Sequence, residues 1–309
     1  MNLEAFVLGC GGMMPLPYRH LTSVLLRREG ELFLFDAGEA TQISIRRLNL
    51  RWKKITAIFI SHMHADHVTG LPGILMLSSQ VDREEPLYIF GPPRIAEFVE
   101  QTRRSLDMYI NYEIIVKEFS EPGLLWNQED FSIRSFFLRH TKPCYGYTLE
   151  ERPRPGAFHP DKALALGVPR GPQWSLLQGG QELVLEDGSI VKPEDVLGPT
   201  RSGRKFSYVT DTLYMPEIAK EVKNSDLFIC EGMFEEALLS SAVEKRHMTA
   251  RQAGLLAKAA GGVRKLGLIH YSPRYADKEL KILLQEAQEI FPATVLTRDR
   301  MQFPIEYTD

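Results

Sequence analysis

Short apolar runs, separated by turns and by amphipathic stretches, make up most of the chain. The run Ala57-Ile58-Phe59-Ile60 predicts a buried strand that stops at Ser61. A helical pattern follows over 68–77, with Pro72 near its first turn, where a missing N–H is tolerated. Strands are also predicted at 5–8, 21–26, 32–35, 87–90, 113–116, 131–137, 145–149, 206–209, 227–229 and 266–269, and helices near 93–106, 214–223, 249–260 and 277–290. Strands interleaved with surface helices indicate a layered α/β architecture.

Residues 151–200 interrupt this pattern with a high density of prolines and glycines. Such breakers cannot support long regular elements, although residues 182–191 predict a small hairpin that turns on Asp187-Gly188. One interpretation is a structureless surface loop. The other is a partly ordered insertion with a function, and we favour it because loops this long inside compact domains usually serve one. One large domain over residues 1–309 is therefore predicted, with residues 151–200 inserted in it.

Composition is that of a soluble globular protein, with 44% hydrophobic and 25% charged residues. The three cysteines, Cys10, Cys144 and Cys230, are scattered, so neither a disulfide framework nor a thiolate zinc site is predicted. A reducing cytoplasm is the expected location. The chain shows no signal-peptide pattern, and no apolar run approaches the roughly 20 residues that span a bilayer, so no membrane association is expected.

The formal charge of −3 argues mildly against general nucleic-acid binding, since a polyanion is usually met by a basic surface. Residues 41–60 are a local exception. They contain no acidic residue and five basic ones, namely Arg46, Arg47, Arg51, Lys53 and Lys54. This basic stretch is either an RNA-contacting surface or the solvated face of a helix, and the sequence leaves both open.

The densest chemistry lies in the run His62-Met63-His64-Ala65-Asp66-His67. If strand geometry persists beyond Ser61, His62 and His64 point to one side, because alternate residues of a strand share a face. Imidazole and carboxylate ligands together suit zinc, with manganese and iron as alternatives. This run therefore predicts a metal centre.

One such run cannot complete two coordination spheres, so more distant ligands are needed. His140, Asp211 and His270 each follow an apolar β run, which is where a rigid scaffold projects side chains into a cleft. A lone histidine at a strand end is more often a satisfied core residue than a ligand. Three repeats of the pattern beside the cluster favour ligands at all three positions.

These residues resemble the metallo-β-lactamase superfamily and, more narrowly, the short form of the ribonuclease Z (tRNase Z) family of tRNA 3′ processing endoribonucleases. The resemblance runs from end to end. Its motifs are residues 8–12, 35–42, 59–67, 69–73, 210–212 and 270–275. It implies an α/β fold, the αββα sandwich of two mixed β-sheets flanked by helices, over residues 1–309. It also implies an extruded substrate-binding arm at 151–200, where Gly171-Pro172 matches the arm's Gly-Pro motif.

The resemblance also assigns the site. His62, His64 and His140 would hold one metal ion, Asp66, His67 and His270 the other, and Asp211 would bridge them. Two Zn²⁺ per subunit are implied, with Mn²⁺ or Fe²⁺ as alternatives. The family's Glu–His pair beside the metals corresponds to Glu231 and His247, and Asp36 is expected to fix a ligand imidazole. Family members are homodimers that act on precursor tRNA.

The expected function is removal of the 3′ trailer of precursor tRNA in the cytoplasm. We expect a metal-activated hydroxide to attack the phosphodiester, with Asp66 as base and His247, held by Glu231, as acid, leaving a 3′-hydroxyl on the tRNA. The family's PxKxRN loop departs here to Pro15-Leu16-Pro17-Tyr18-Arg19-His20, and its HEAT-like motif keeps only Glu231. These departures leave open a phosphodiesterase or esterase of the same fold that acts on a small molecule or another RNA. A catalytically silent RNA-binding or metal-sensing module is a third reading.

Overall fold

The computed structural model describes residues 2–81 and 83–308. Its strands are β1 (Leu3–Gly9), β2 (Ser23–Arg28), β3 (Glu31–Phe35), β4 (Ile55–Phe59), β5 (Leu87–Gly91), β6 (Ile114–Glu118), β7 (Leu124–Asn127), β8 (Phe131–Arg139), β9 (Pro143–Glu151), β10 (Leu183–Val184), β11 (Ile190–Val191), β12 (Lys205–Val209), β13 (Leu227–Glu231), β14 (Leu266–Ile269), β15 (Thr294–Leu296) and β16 (Gln302–Pro304). Each strand position predicted from the sequence overlaps one of them.

The helices are α1 (Thr41–Arg47), α2 (Ala65–Val68), α3 (Leu71–Ser79), α4 (Ile95–Ser105), α5 (Pro160–Ala165), α6 (Pro172–Gln178), α7 (Pro193–Val196), α8 (Ile218–Glu221), α9 (Leu239–Lys245), α10 (Ala250–Ala260) and α11 (Lys281–Gln288). Short 3₁₀ helices occupy Trp52–Lys54 and Glu236–Leu238. Over the described ranges, no helix combines the length and the apolar content that crossing a membrane requires.

Two mixed seven-stranded sheets dominate the fold, in the orders β16-β1-β2-β3-β4-β5-β6 and β15-β14-β13-β12-β9-β8-β7. Aromatic side chains of the two sheets meet, since the ring of Phe35 lies 5.8 Å from that of Tyr147 and 5.4 Å from that of Phe206. The alternate residues of the first sheet pack in an apolar cluster with residues of α1, α3 and α4. Helix α10 packs against β13 and β14 of the second sheet. The predicted αββα sandwich of two mixed sheets flanked by helices is confirmed.

The described residues 128–131, 150–204 and 307–308 form a second compact unit. Helices α5, α6 and α7 each have proline at the start, where the missing N–H leaves no hydrogen bond unmade. The hairpin β10–β11 turns at Asp187-Gly188 as predicted, with Gly188 at a positive φ of 83°. The segment is not a structureless loop, because it has a buried apolar core of its own, comprising Ala163, Val168, Leu177, Leu183, Val191 and Val196.

Three helix predictions needed correction. The helix predicted over 68–77 is split into α2 and α3 at Thr69-Gly70, where a Cβ on Gly70 would overlap the Gly38 carbonyl oxygen. The helix predicted at 214–223 shrinks to α8, because Pro216 disfavours helical backbone at the residue before it. The helix predicted at 277–290 forms only over α11.

Candidate metal centre

The structure brings all seven predicted ligand residues together at the ends of strands. The backbone leaves β4 after Phe59, is extended at His64 and enters α2 at Ala65. His140 directly follows β8, His270 directly follows β14, and Asp211 lies two residues beyond β12. His62, His64, His140 and Asp211 each offer one ligand atom, and these atoms lie within 4.8 Å of one another. Asp66, His67 and His270 form a second group, whose ligand atoms also lie within 4.8 Å of one another.

Three imidazole nitrogens of the first group converge on one point. The Nδ1 atom of His64 lies 3.0 Å from Nε2 of His62 and 3.2 Å from Nε2 of His140. The Oδ2 atom of Asp211 lies 3.5 Å from Nε2 of His62 and 3.6 Å from Nε2 of His140. Burial and the charge of His67 hold the pKa of His62 well below its usual value, so its imidazole is neutral and offers a lone pair.

The second group shares the same aspartate through its other oxygen. The Nε2 atoms of His67 and His270 lie 3.3 Å apart, and Oδ1 of Asp211 lies 3.3 Å from the first and 3.2 Å from the second. The Oδ2 atom of Asp66 lies 3.3 Å from Nε2 of His270. The two oxygens of Asp211 therefore face different groups.

Neighbouring polar atoms fix which nitrogen of His62, His64 and His140 is free. The Nδ1 atom of His62 lies 3.0 Å from Oγ of Ser61, and that of His140 lies 3.0 Å from the carbonyl oxygen of Arg246. Each acceptor holds the proton on Nδ1 and leaves the Nε2 lone pair facing the group. The two nitrogens of His64 have the opposite roles. Its Nε2 lies 3.3 Å from Oγ1 of Thr141, and its Nδ1 faces the other ligand atoms.

Asp36 is a fully buried carboxylate beneath the centre. Its Oδ2 lies 2.8 Å from Nδ1 of His67 and accepts hydrogen bonds from the hydroxyls of Ser61 and Tyr208, each also at 2.8 Å. Its Oδ1 accepts the Ser61 backbone N–H at 2.7 Å. The structure thus places Asp36 against the imidazole of His67, one of the predicted ligands.

Converging lone pairs and a shared carboxylate fit metal cations. Imidazole nitrogens face each other at 3.0–3.3 Å in the pairs His62–His64 and His67–His270, and a cation between them would accept a lone pair from each. Gly12 leaves room for this packing, because a Cβ there would lie 2.6 Å from the His270 ring. Imidazole and carboxylate donors are the set that zinc, manganese and iron accept.

Glu231 and His247 form a buried pair beside the centre. Glu231 ends β13, and His247 lies two residues before the N-cap of α10, Thr249, whose hydroxyl accepts the Gln252 backbone N–H. The Nδ1 atom of His247 lies 3.0 Å from Oε2 of Glu231, and Oε1 of Glu231 accepts the Thr212 backbone N–H at 2.6 Å. Burial lowers the pKa of His247, but the Glu231 carboxylate outweighs it and raises the pKa to about 9.

Sequence reasoning missed one contact to a candidate ligand and made no prediction of where the loop at 15–20 lies. The Met13 backbone N–H donates to Oδ2 of Asp66 at 2.6 Å, and nothing in the local sequence signals this contact. In the loop at 15–20, Arg19 is buried and donates to Asp277, while His20 lies against Ser44 and Asp299 rather than in the metal centre.

Within the basic stretch at 41–60 the apolar residues are mostly buried and the cations are exposed. Its five cations, Arg46, Arg47, Arg51, Lys53 and Lys54, all lie at the surface. Exposure is common to both interpretations of this stretch, so both remain predictions.

Comparison with known proteins gives one family-model match, over about half of the chain, and full-length relatives named ribonuclease Z. The family model for the anti-Pycsar protein Apyc1 matches residues 3–152. A ribonuclease Z of Treponema denticola is 68% identical over the full length of both chains, and one of Borrelia hermsii is 42% identical over 98% of this chain and 97% of its own.

Solved structures agree on the fold. The crystal structure of human tRNase Z, short form, superposes with a TM-score of 0.71 at 24% identity, covering 98% of this chain and 99% of that one. The metallo-β-lactamase fold protein YhfI of Bacillus subtilis gives 0.67 at 20% identity, covering 98% and 100%. The clustered histidines and aspartates of this chain provide the ligand atoms for a metal cofactor. The chain belongs to the ribonuclease Z family.

Proposed function

We propose that this chain is a zinc-dependent endoribonuclease that removes the 3′ trailer from precursor tRNA and leaves a 3′-hydroxyl on the tRNA. One observation carries the proposal. Asp211 offers one oxygen to each of the two groups of candidate ligands, beside the buried Glu231–His247 pair. This arrangement occurs in a chain that is related over its whole length to proteins named ribonuclease Z.

Two Zn²⁺ ions per subunit are the proposed cofactor, with Mn²⁺ or Fe²⁺ as alternatives. His62, His64 and His140 would hold one ion, Asp66, His67 and His270 the other, and Asp211 would contact both. When bound, such a pair supplies Lewis-acid polarisation of a phosphodiester and lowers the pKa of water.

Asp66 is the proposed group that orients the attacking water. Burial alone would raise its pKa, but the charge of His67 and the hydrogen bond from His270 hold the pKa well below the ordinary value, so the carboxylate is ionised at neutral pH. Such a weak base takes up a proton only transiently. The Met13 N–H fixes Oδ2, so the carboxylate is held in one orientation.

His247 is the proposed acid. Its Nδ1 bonds to Glu231, so its Nε2 is free to donate a proton to the departing ribose 3′ oxygen. At neutral pH the imidazole is protonated, because its pKa is raised to about 9. The products would be tRNA with a 3′-hydroxyl and a trailer with a 5′-phosphate.

Residues 151–200 are the proposed substrate-binding arm. Support comes from their independent apolar core and from Gly171-Pro172, which begins α6. By resemblance to the family, we propose a cytoplasmic homodimer in which one subunit's arm grips tRNA at the other subunit's site. Light scattering of the purified protein tests the dimer.

The decisive experiment maps cleavage of a precursor tRNA that carries a 3′ trailer. We expect one cut near the end of the acceptor stem, a 3′-hydroxyl on the tRNA fragment, and loss of cleavage with a chelator. The altered loop at 15–20 favours a second candidate, a phosphodiesterase acting on small molecules or another RNA. Hydrolysis of bis(p-nitrophenyl) phosphate without cleavage of any precursor would support that candidate and overturn the first.

A further inference from the structure

A cleft of about 550 Å³ opens beside the metal centre. Met63 and Ala65, which alternate with ligand residues along the chain, line it, and so does Lys142, two residues after His140. Pro93, just before α4, and Phe98, within it, add to the apolar lining. The volume lies in the range of about 300–1,000 Å³ that is usual for sites that bind small organic groups.

The chemistry of the lining suits a flat, apolar group next to a negative charge. Met63 and Phe98 are only half-buried, with part of each side chain packed on the apolar core of the first sheet. Nε of Arg94 lies 3.0 Å from Oε2 of Glu97, so these two charges largely neutralise each other. Lys142 is exposed and forms no ion pair with any residue in the described part of the chain.

We propose that this cleft binds the base of the first trailer nucleotide, next to the scissile phosphate. The inference rests on the proposed function. A nucleobase presents a planar π face to Phe98, and stacking of this kind tolerates any base, as a trailer of variable sequence requires. The Lys142 ammonium then meets the next phosphate of the trailer.

The trailer side of the cut is assigned from the position of the proposed acid. His247 donates to the 3′ oxygen that stays with the tRNA, so the tRNA-side nucleotide lies towards His247 and Glu231. The described residues that line the cleft come instead from 63–69, 92–101 and 142–143. The cleft is therefore left for the nucleotide that departs with the phosphate.

Equilibrium binding tests the cleft without relying on catalysis. Calorimetry would compare adenosine 5′-monophosphate with ribose 5-phosphate on the metal-loaded protein, since these mimic the trailer end with and without a base. We expect adenosine 5′-monophosphate to bind about tenfold more tightly. The Phe98→Leu variant, which keeps apolar volume but loses the ring, should reduce this ratio to about twofold. Lys142→Ala should leave this affinity ratio unchanged but weaken the binding of a 5′-phosphorylated dinucleotide. The control is Lys223→Ala, at an exposed lysine outside the cleft, and it should change neither the ratio nor the dinucleotide affinity.

Cleavage supplies the second measurement. The wild-type protein should cut a precursor with an abasic first trailer nucleotide about tenfold more slowly than the intact precursor. The Phe98→Leu variant should cut the two precursors at nearly the same rate. An equal ratio in both proteins, in binding and in cleavage, overturns the cleft assignment while leaving trailer removal standing. If no precursor is cut but the binding ratio behaves as described, the proposed function fails and the base-binding cleft stands.

Discussion

Replacing Glu231 by glutamine should produce a cleavage defect that grows with pH. Glutamine has nearly the same shape, and its amide oxygen can still accept the Thr212 N–H that Oε1 accepts now. Its NH₂ group would face Nδ1 of His247 and donate to it, which favours the neutral imidazole. The variant therefore removes the charge that keeps His247 protonated and changes little else.

The size of the effect follows from the pKa of His247. With Glu231 present the pKa is raised to about 9. The full effect of losing the carboxylate is a return to the ordinary histidine value of about 6.5. At pH 8 the protonated fraction would fall from about nine-tenths to about 3%, a loss of about 30-fold in the rate of a step that needs the acid. At pH 6 most of the imidazole is protonated at either pKa, so the loss there should be less than about twofold.

The assay is single-turnover cleavage of a precursor tRNA between pH 6 and pH 9, with each variant rate divided by the wild-type rate at the same pH. His247→Ala is the matched control, and it should lose about 10²–10⁴-fold at every pH. Metal content, measured by mass spectrometry, should be unchanged in both variants. A Glu231→Gln defect of the same size at pH 6 and pH 8 would refute the acid assignment.

Three further changes separate the metal centre from the arm. Asp211→Ala should leave the protein without its metal ions, as measured by elemental analysis, because each donor group loses its shared oxygen; full metal content would contradict the bridging role. Asp36→Asn should weaken metal affinity by about 10–100-fold in a chelator competition. An amide nitrogen would then face the groups that now donate hydrogen bonds to Oδ2. Unchanged affinity would argue against a role of Asp36 in orienting His67. Replacing 155–200 by two glycines is feasible because the Arg154 and Arg201 backbones already pair, at 2.7 and 2.9 Å. Precursor tRNA cleavage should then be lost while bis(p-nitrophenyl) phosphate is still hydrolysed, and surviving tRNA cleavage would exclude the arm as the substrate-binding element.

The sequence predicts the strands and the positions of the candidate ligands because both leave local signals. An apolar run followed by a histidine or an aspartate is visible without any knowledge of the fold, as at His140 and His270. The grouping of ligands around each point is not local. It came from the resemblance, and the spacing of residues along the chain could not have supplied it.

Elements without a local signal were missed. Helix α1 begins after Ala40, which has a left-handed backbone and makes no side-chain cap hydrogen bond, so no start signal precedes it. Strands β15 and β16 have three residues each, too few to show a period. Strand β16 owes its place to antiparallel pairing with β1 at the other end of the chain, which only the folded molecule reveals.

Asp36 shows why the metal centre depends on the packing of both sheets. It follows β3 in the first sheet, yet one of the hydrogen bonds to its Oδ2 comes from Tyr208 in β12 of the second. The same carboxylate orients His67, so the second donor group inherits its geometry from the contact between the sheets. The Phe35 ring beside Asp36 lies 5.8 Å from the ring of Tyr208 and holds that contact through dispersion and burial. Packing between the sheets therefore determines where Asp211 and His67 meet, and a change in that core should alter metal affinity before it abolishes folding.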